Sequence, residues 1–340
     1  MATAQQRARL AGVACSLGAM ACTSSSPPAS DGDTPLHPDA GALDTGTTPE
    51  SGTRDGGGSD GTGLGDGGGG DGAVPLAVCR EGVGWSTLAR VTSIAPGGFD
   101  RFGAVSASEL TVAWTTSAGV VYVADRASNT GGFGTPAALD PGTTQLANDR
   151  VALGPTGLLL IAPLADRSSF AAFVRTSIGA PWTPDPSIPG EFHTIASALS
   201  EPGGAFSEPV VSGDGLSFFY LLAVGSGLPE LYESTWDAAS GQWAYGYPLP
   251  NPEFAITVTD AGAAQLRRAT GASSDRRTLF FFDEASGTER AAWRDSPTSP
   301  FDQFVDLASL PEAAPSGDCV TVYFHGSDAS GQGLFTARGQ

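Results

Sequence analysis

From about residue 100 to the C-terminus, apolar residues come in short runs broken by glycine, proline, serine and aspartate. Val112-Ala113-Trp114, Leu158 to Ile161, Phe218 to Leu222, Leu279 to Phe282 and Val322-Tyr323-Phe324 are the clearest. Short β-branched and aromatic runs bracketed by turn residues predict short strands. Each of these runs is preceded by a tight turn built on Asp or Gly, and by another strand-like segment. Residues 79–340 therefore read as all-β.

The pattern repeats. Ser212-Gly213-Asp214-Gly215 leads into Leu216 to Tyr220, Ser273 to Thr278 leads into Leu279-Phe280-Phe281, and Ser316 to Thr321 leads into Val322-Tyr323-Phe324. Weaker copies start at Ser106 and Gly154. A second segment follows each turn-and-strand: Val120 to Val123, Phe170 to Val174, Glu230 to Tyr232, Arg290 to Trp293 and Gly333 to Thr336. In four copies a further strand begins near an aromatic, at Phe133, Trp182, Trp243 and Phe301. With the segment before the anchor, each unit has four strands, and units of roughly 40–60 residues with four strands are propeller blades. Five anchors predict five blades. The long spacings around Gly154–Ser212 and Ser212–Ser273 leave room for a sixth, degenerate blade near 192–205 or 254–264. A β-sandwich with coincidental turns is the alternative fold. The fifth copy lacks its outer strand, and Val83 to Val91 has the pattern to supply it. That pairing closes the ring and removes exposed sheet edges.

Glu208-Pro209-Val210-Val211-Ser212-Gly213-Asp214-Gly215, followed by an aromatic strand, resembles the WD-like β-propeller repeat of the TolB family. The resemblance covers most of 100–340 and is sharpest in the last three copies. It implies a propeller in an exported bacterial envelope protein.

Composition adds an address. Met1–Arg9 is polar and carries Arg7 and Arg9, Leu10–Ala21 is apolar and small, and Ala19-Met20-Ala21 precede Cys22. That order is a secretory signal over residues 1–22. Its end resembles a bacterial lipobox with Cys22 as the lipidated first mature residue, although Ala19 stands where the pattern prefers leucine. Ordinary cleavage is the alternative, giving a soluble periplasmic or secreted protein. Thr23 after the cysteine, rather than aspartate, points to the outer membrane or cell surface. Residues 23–78 carry eight aspartates, one glutamate and one arginine, with twelve glycines between Ser51 and Gly72. Such a stretch has too little to bury to repay its ordering entropy and reads as a disordered acidic tether. Its Asp-Gly spacing is too uneven for a calcium roll.

The whole chain has a formal charge of −19, with 47 glycines and 25 prolines. A nucleic-acid binder needs a basic stripe, which is missing here. No apolar run reaches the roughly 20 residues of a membrane span, so the expected membrane link is the lipid anchor alone. With Cys15 in the signal and Cys22 lipidated, Cys79 and Cys319 remain. Export favours oxidation, and a Cys79–Cys319 disulfide would staple the first strand to the last blade.

Chemistry-bearing residues are sparse. His37, His193 and His325 have no metal-ligand spacing, and no Gly-x-Ser-x-Gly turn is present. No metal or other cofactor is expected. Counting back four or five residues from each anchor reaches the channel axis. The charged residues there are Arg101, Asp149, Arg150, Glu208, Arg268 and Glu312. Two readings follow: ion pairs between blades, or a polar ligand site with Asp149, Glu208 and Glu312 as acids and Arg101, Arg150 and Arg268 clamping anions; a glycan-active enzyme using those carboxylates is the rival function. Arg267-Arg268 with Arg276-Arg277 is a candidate basic cluster, and Trp243, Tyr245 and Tyr247 a candidate aromatic contact face. The preferred reading is a monomeric, lipid-anchored propeller that binds an envelope protein or a glycan without catalysis.

Overall fold

The computed structural model describes residues 85, 88–94, 101–186, 204–254, 257–258 and 264–339, with 226, 238, 240, 241, 245, 308 and 309 left out. The signal, Cys22, the tether, Cys79, His37, His193 and Tyr245 lie outside the described residues.

Five antiparallel sheets form five blades. Blade I comprises Arg101–Val105, Thr111–Thr115, Val121–Asp125 and Ala137–Ala138. Blade II comprises Ala152–Leu153, Leu159–Pro163, Phe170–Val174 and Thr183–Asp185. Blade III comprises Ala205–Val211, Ser217–Ala223 and Glu230–Asp237, and its outer edge is split between Gln242–Trp243 and Tyr247–Pro248. Blade IV comprises Arg267–Ala272, Thr278–Asp283, Thr288–Trp293 and Gln303–Leu307. Blade V comprises Ala314–Pro315, Thr321–Asp328 and Gly331–Arg338, completed by Ala89–Arg90. Ala89 pairs with Thr336 and Arg90 with Phe335, and Trp85 bridges to Gly339. The N-terminal strand therefore closes the last blade. Each blade's innermost strand lies against the next, around to blade I. The protein is a five-bladed β-propeller. Among the described residues of the interval around 254–264 stand a 3-10 turn, Pro252–Phe254, and the two-stranded pair Thr257–Val258 with Ala264–Gln265, not a sixth blade; of the other interval, residues 192–203 lie outside the described residues.

The apolar runs are continuous because the strands are buried on both faces. In blade III, Phe218, Tyr220 and Leu222 pack toward blade II, on Ile161 and Phe170. Phe219 and Leu221 point the other way, onto Leu279 and Phe281 of blade IV. Phe280 then faces Val322 and Phe324 of blade V. The same alternation seats Trp114 with Tyr323 between blades V and I, and Val123 with Phe173 between blades I and II. Each blade boundary holds one apolar cluster, so no blade has a core of its own.

The turns explain the repeated serine. In four blades the anchor serine accepts a hydrogen bond from the backbone N–H five residues on: Ser106 from Thr111, Ser212 from Ser217, Ser273 from Thr278 and Ser316 from Thr321. The third residue after the anchor is left-handed in every blade: Glu109, Gly157, Gly215, Arg276 and Cys319, with φ between 58° and 77°. Only two of the five are glycine, although this conformation favours glycine.

Candidate functional site

The innermost strand of each blade begins at one mouth of the axis and runs inward to its turn. Counting back from the anchors does reach that mouth, and the six predicted residues meet there. Arg101 Nη1 lies 2.8 Å from Glu208 Oε1 and 3.1 Å from Asp149 Oδ1. Arg268 Nη1 stands 3.4 Å from Glu208 Oε1 and 3.6 Å from Glu312 Oε1. Arg150 occupies the middle. Its Nη1 donates to the carbonyls of Gly103 in blade I, at 2.8 Å, and Thr270 in blade IV, at 3.2 Å. Its Nε is 3.6 Å from Glu208 Oε2 and its Nη2 is 4.0 Å from Glu312 Oε2. Two residues outside the predicted set join: Arg167 on Asp149 at 3.3 Å, and Glu284 on Arg268 at 3.2 Å. The cluster is a plug that ties the five blades together, with Arg150 fully buried at its centre.

Burial sets the protonation of the plug. Burial first, and then the neighbouring Glu208, push the Asp149 carboxyl up to about 7. Glu208 stays low because Arg268, Arg150 and Arg101 and a hydrogen bond with Asp149 outweigh its burial. Near this pair, Glu289 is completely enclosed, and burial raises it to about 8 despite its hydrogen bond with Thr270 and the Arg150 charge.

Beyond the plug the axis narrows to a cavity of about 30 Å³, room for a water or two. Gly103 and Gly271 make the approach possible. A Cβ on Gly103 would sit 2.5 Å from Val151, and one on Gly271 would sit 2.3 Å from Pro315. At the far end the turns of neighbouring blades bond to one another, Ser108 N–H to the Pro155 carbonyl and Ser274 hydroxyl to the Gly317 carbonyl.

Glycoside hydrolysis needs two carboxyl groups about 5 Å or more apart flanking an open bond. Here Asp149 and Glu208 crowd onto the same nitrogen, Arg101 Nη1. Every predicted axial acid is paired, which fits the reading of ion pairs between blades. The other candidates separate. Arg267 and Arg268 start the innermost strand of blade IV, whereas Arg276 and Arg277 lie in the turn at its other end. Arg267 pairs with Asp283, Arg276 with Asp214 and Arg277 with Asp275, so no basic cluster forms. Trp243 is buried against Phe218 and Trp236, whereas Tyr247 is exposed on a separate strand segment. Buried Trp243 is therefore not part of an exposed aromatic face. Among the described residues no group of metal ligands assembles.

Sequence reasoning missed a second repeated device. Arg126, Arg175 and Arg294 each follow the third strand of a blade. The Nε of each donates to the carbonyl of its own blade's left-handed turn residue: Glu109, Gly157 and Arg276. Each guanidinium also reaches the preceding blade: Arg126 to the Tyr323 hydroxyl, Arg175 to both oxygens of Asp125, Arg294 to both oxygens of Glu233. Each lies over an aromatic ring, Phe133, Trp182 or Phe301. The sequence signal is an arginine seven residues before that aromatic. Blade III keeps the spacing with Trp236 and Trp243. Arg294→Ala is expected to cost about 2–3 kcal/mol by urea unfolding, because it leaves the largely enclosed Glu233 carboxylate with only the Ser217 hydroxyl. Arg294→Lys should recover little of that, since an ammonium cannot span both carboxylate oxygens.

No family model and no curated protein matches the chain. Solved structures similar to it include a protein designated TolB in Agrobacterium tumefaciens, at 17% identity and a TM-score of 0.39, covering 70% of this chain and 82% of that one. TolB from Acinetobacter baumannii is similar at 10% identity and a TM-score of 0.37, covering 70% and 54%. AofleA from Arthrobotrys oligospora is similar at 12% identity and a TM-score of 0.38, covering 68% of each chain. The five-bladed assignment rests on the strand order above.

Proposed function

We propose that this chain is an exported, lipid-anchored envelope protein whose acidic tether presents the propeller for non-catalytic binding of a protein or a glycan. The observation that carries the non-catalytic part is the plug: Glu208 is enclosed by Arg101, Arg150 and Arg268, so its charge serves ring register. A rigid ring with broad outer surfaces suits contact with a partner; that step is an analogy from fold to role. The basic, then apolar, then small-residue start supports export, and the Ala-Met-Ala-Cys ending supports lipidation of Cys22 at the outer membrane or cell surface.

A Cys79–Cys319 disulfide is part of the same proposal. Cys319 is buried in the turn of the blade that the N-terminal strand completes, and Cys79 precedes that strand in sequence. Closing so long a loop is worth about 5 kcal/mol at most.

Intact mass of the mature protein from its native envelope, before and after reduction and alkylation, tests both parts. The expected result is an acylated mass on Cys22 with Cys79 and Cys319 alkylated only after reduction. Cross-linking capture at the envelope should then recover a partner. An unacylated chain whose two thiols alkylate without reduction would overturn anchor and staple together.

A further inference from the structure

The arginine–aromatic device allows one blade to be compared with the others. In blades I, III and IV the aromatic seven residues on is buried: Phe133, Trp243 and Phe301 are 5%, 8% and 1% exposed. In blade II the equivalent Trp182 is half-exposed. It borders a cleft of about 570 Å³ between the outer edges of blades I and II, within the roughly 300–1,000 Å³ range of small-ligand clefts. Short edges leave the cleft open. Blade I ends in only Ala137–Ala138, both exposed, and blade II in Thr183–Asp185. In blade IV a five-residue strand, Gln303–Leu307, occupies that edge.

We propose that this cleft binds a neutral saccharide ring. The inference rests on the binding role proposed above and assigns it a place and a ligand class. Its lining combines apolar residues, Trp182 and Pro184 from blade II and Ala137 and Ala138 from blade I, with two carboxylates of blade I, Asp125 and Asp140. Asp125 is held rigidly, both oxygens bonded by Arg175 and one by the Thr111 hydroxyl, yet it keeps about a quarter of its surface. Asp140 is exposed and spends one oxygen on the Gly142 N–H. A pyranose suits such a mixed lining, with C–H groups for the indole and proline and hydroxyls for the fixed acceptors. The charges select against an anion. Asp125 is neutralised by Arg175, which leaves Asp140 to repel an anion. The Arg175 guanidinium lies over one face of the Trp182 ring, 4.3 Å from its centroid, so the sugar ring would meet the remaining exposed part of the indole.

The test is titration of the full chain, followed by tryptophan fluorescence and by calorimetry, with cellobiose, chitobiose, maltotriose and mannobiose. Choline and glucuronate serve as cationic and anionic probes. Two variants accompany it: Trp182→Ala, and Ala138→Trp, which fills the cleft from an exposed position without touching the blade cores. The expected result is saturable binding of at least one neutral sugar, at least tenfold weaker in both variants, with no binding of choline or glucuronate. Absence of binding to all four sugars, unchanged affinity in Ala138→Trp, or preference for either charged probe would overturn the cleft assignment. Envelope capture of a protein partner in the same preparation would leave the broader binding role standing.

Discussion

Replacing Arg150 by methionine is expected to lower the unfolding free energy by about 3–5 kcal/mol, the usual cost of removing one partner from a buried ion pair. Methionine keeps most of the volume, so the loss isolates the guanidinium. Without it the carbonyls of Gly103 and Thr270 lose a donor on opposite sides of the ring. Glu208 keeps Arg101 and Arg268, and Glu312 keeps Arg268, which places the effect toward the lower end of the range. The measurement is the urea midpoint at fixed pH. A double-mutant cycle with Glu208→Gln should then show coupling of about 1 kcal/mol or more, because the two groups share one network. A midpoint within about 1 kcal/mol of the native protein would mean that the blade cores alone hold the ring and the plug is incidental.

The second large effect is a dependence of stability on pH that runs opposite to ordinary acid denaturation. Glu289 has an ordinary value of 4.5 and is raised to about 8 in the fold; Asp149 goes from 3.8 to about 7. Between these limits the folded protein holds protons that the unfolded chain has released. Stability from these two groups is therefore greatest at low pH and falls as pH rises to about 8, by up to about 1.4 kcal/mol per pH unit for each group. Asp125 and Glu208, both lowered in the fold, act in the other direction and lose their contribution as pH falls. Glu289→Gln separates the two trends. Glutamine retains an acceptor for the Thr270 hydroxyl and carries no charge. The variant should match the native protein near pH 4.5 and exceed it increasingly up to pH 8, as followed by urea unfolding at a series of pH values. Parallel curves would show that Glu289 is ionised in the fold.

The blades were legible in sequence because their signals are local. A serine that bonds five residues ahead, a left-handed third position and a run of residues buried on both faces lie within about ten residues of one another. The closing strand was legible from a deficit, since the last unit lacks an outer edge and residues 83–91 offer one. The six axial residues could be found by counting back from the turns, because every blade points the same end of its inner strand at the axis. The arginine latches carried a signal too, the fixed spacing from Arg126 to Phe133, Arg175 to Trp182 and Arg294 to Phe301.

By itself the sequence determined where the strands begin, which residues reach the axis and which segment closes the ring. All of these depend on short-range turn chemistry and periodic burial. Only the tertiary structure decided whom each charged residue meets. Arg101 and Glu208 are 107 residues apart in the chain and Arg150 and Thr270 are 120 apart, so their contacts exist only once the ring is shut. The protonation of Asp149 and Glu289, the separation of Arg267-Arg268 from Arg276-Arg277, and the exposure of Trp182 alone among the four aligned aromatics follow from that closure. Burial and charge proximity are properties of the assembled ring, set by the neighbouring blades and invisible within any one repeat.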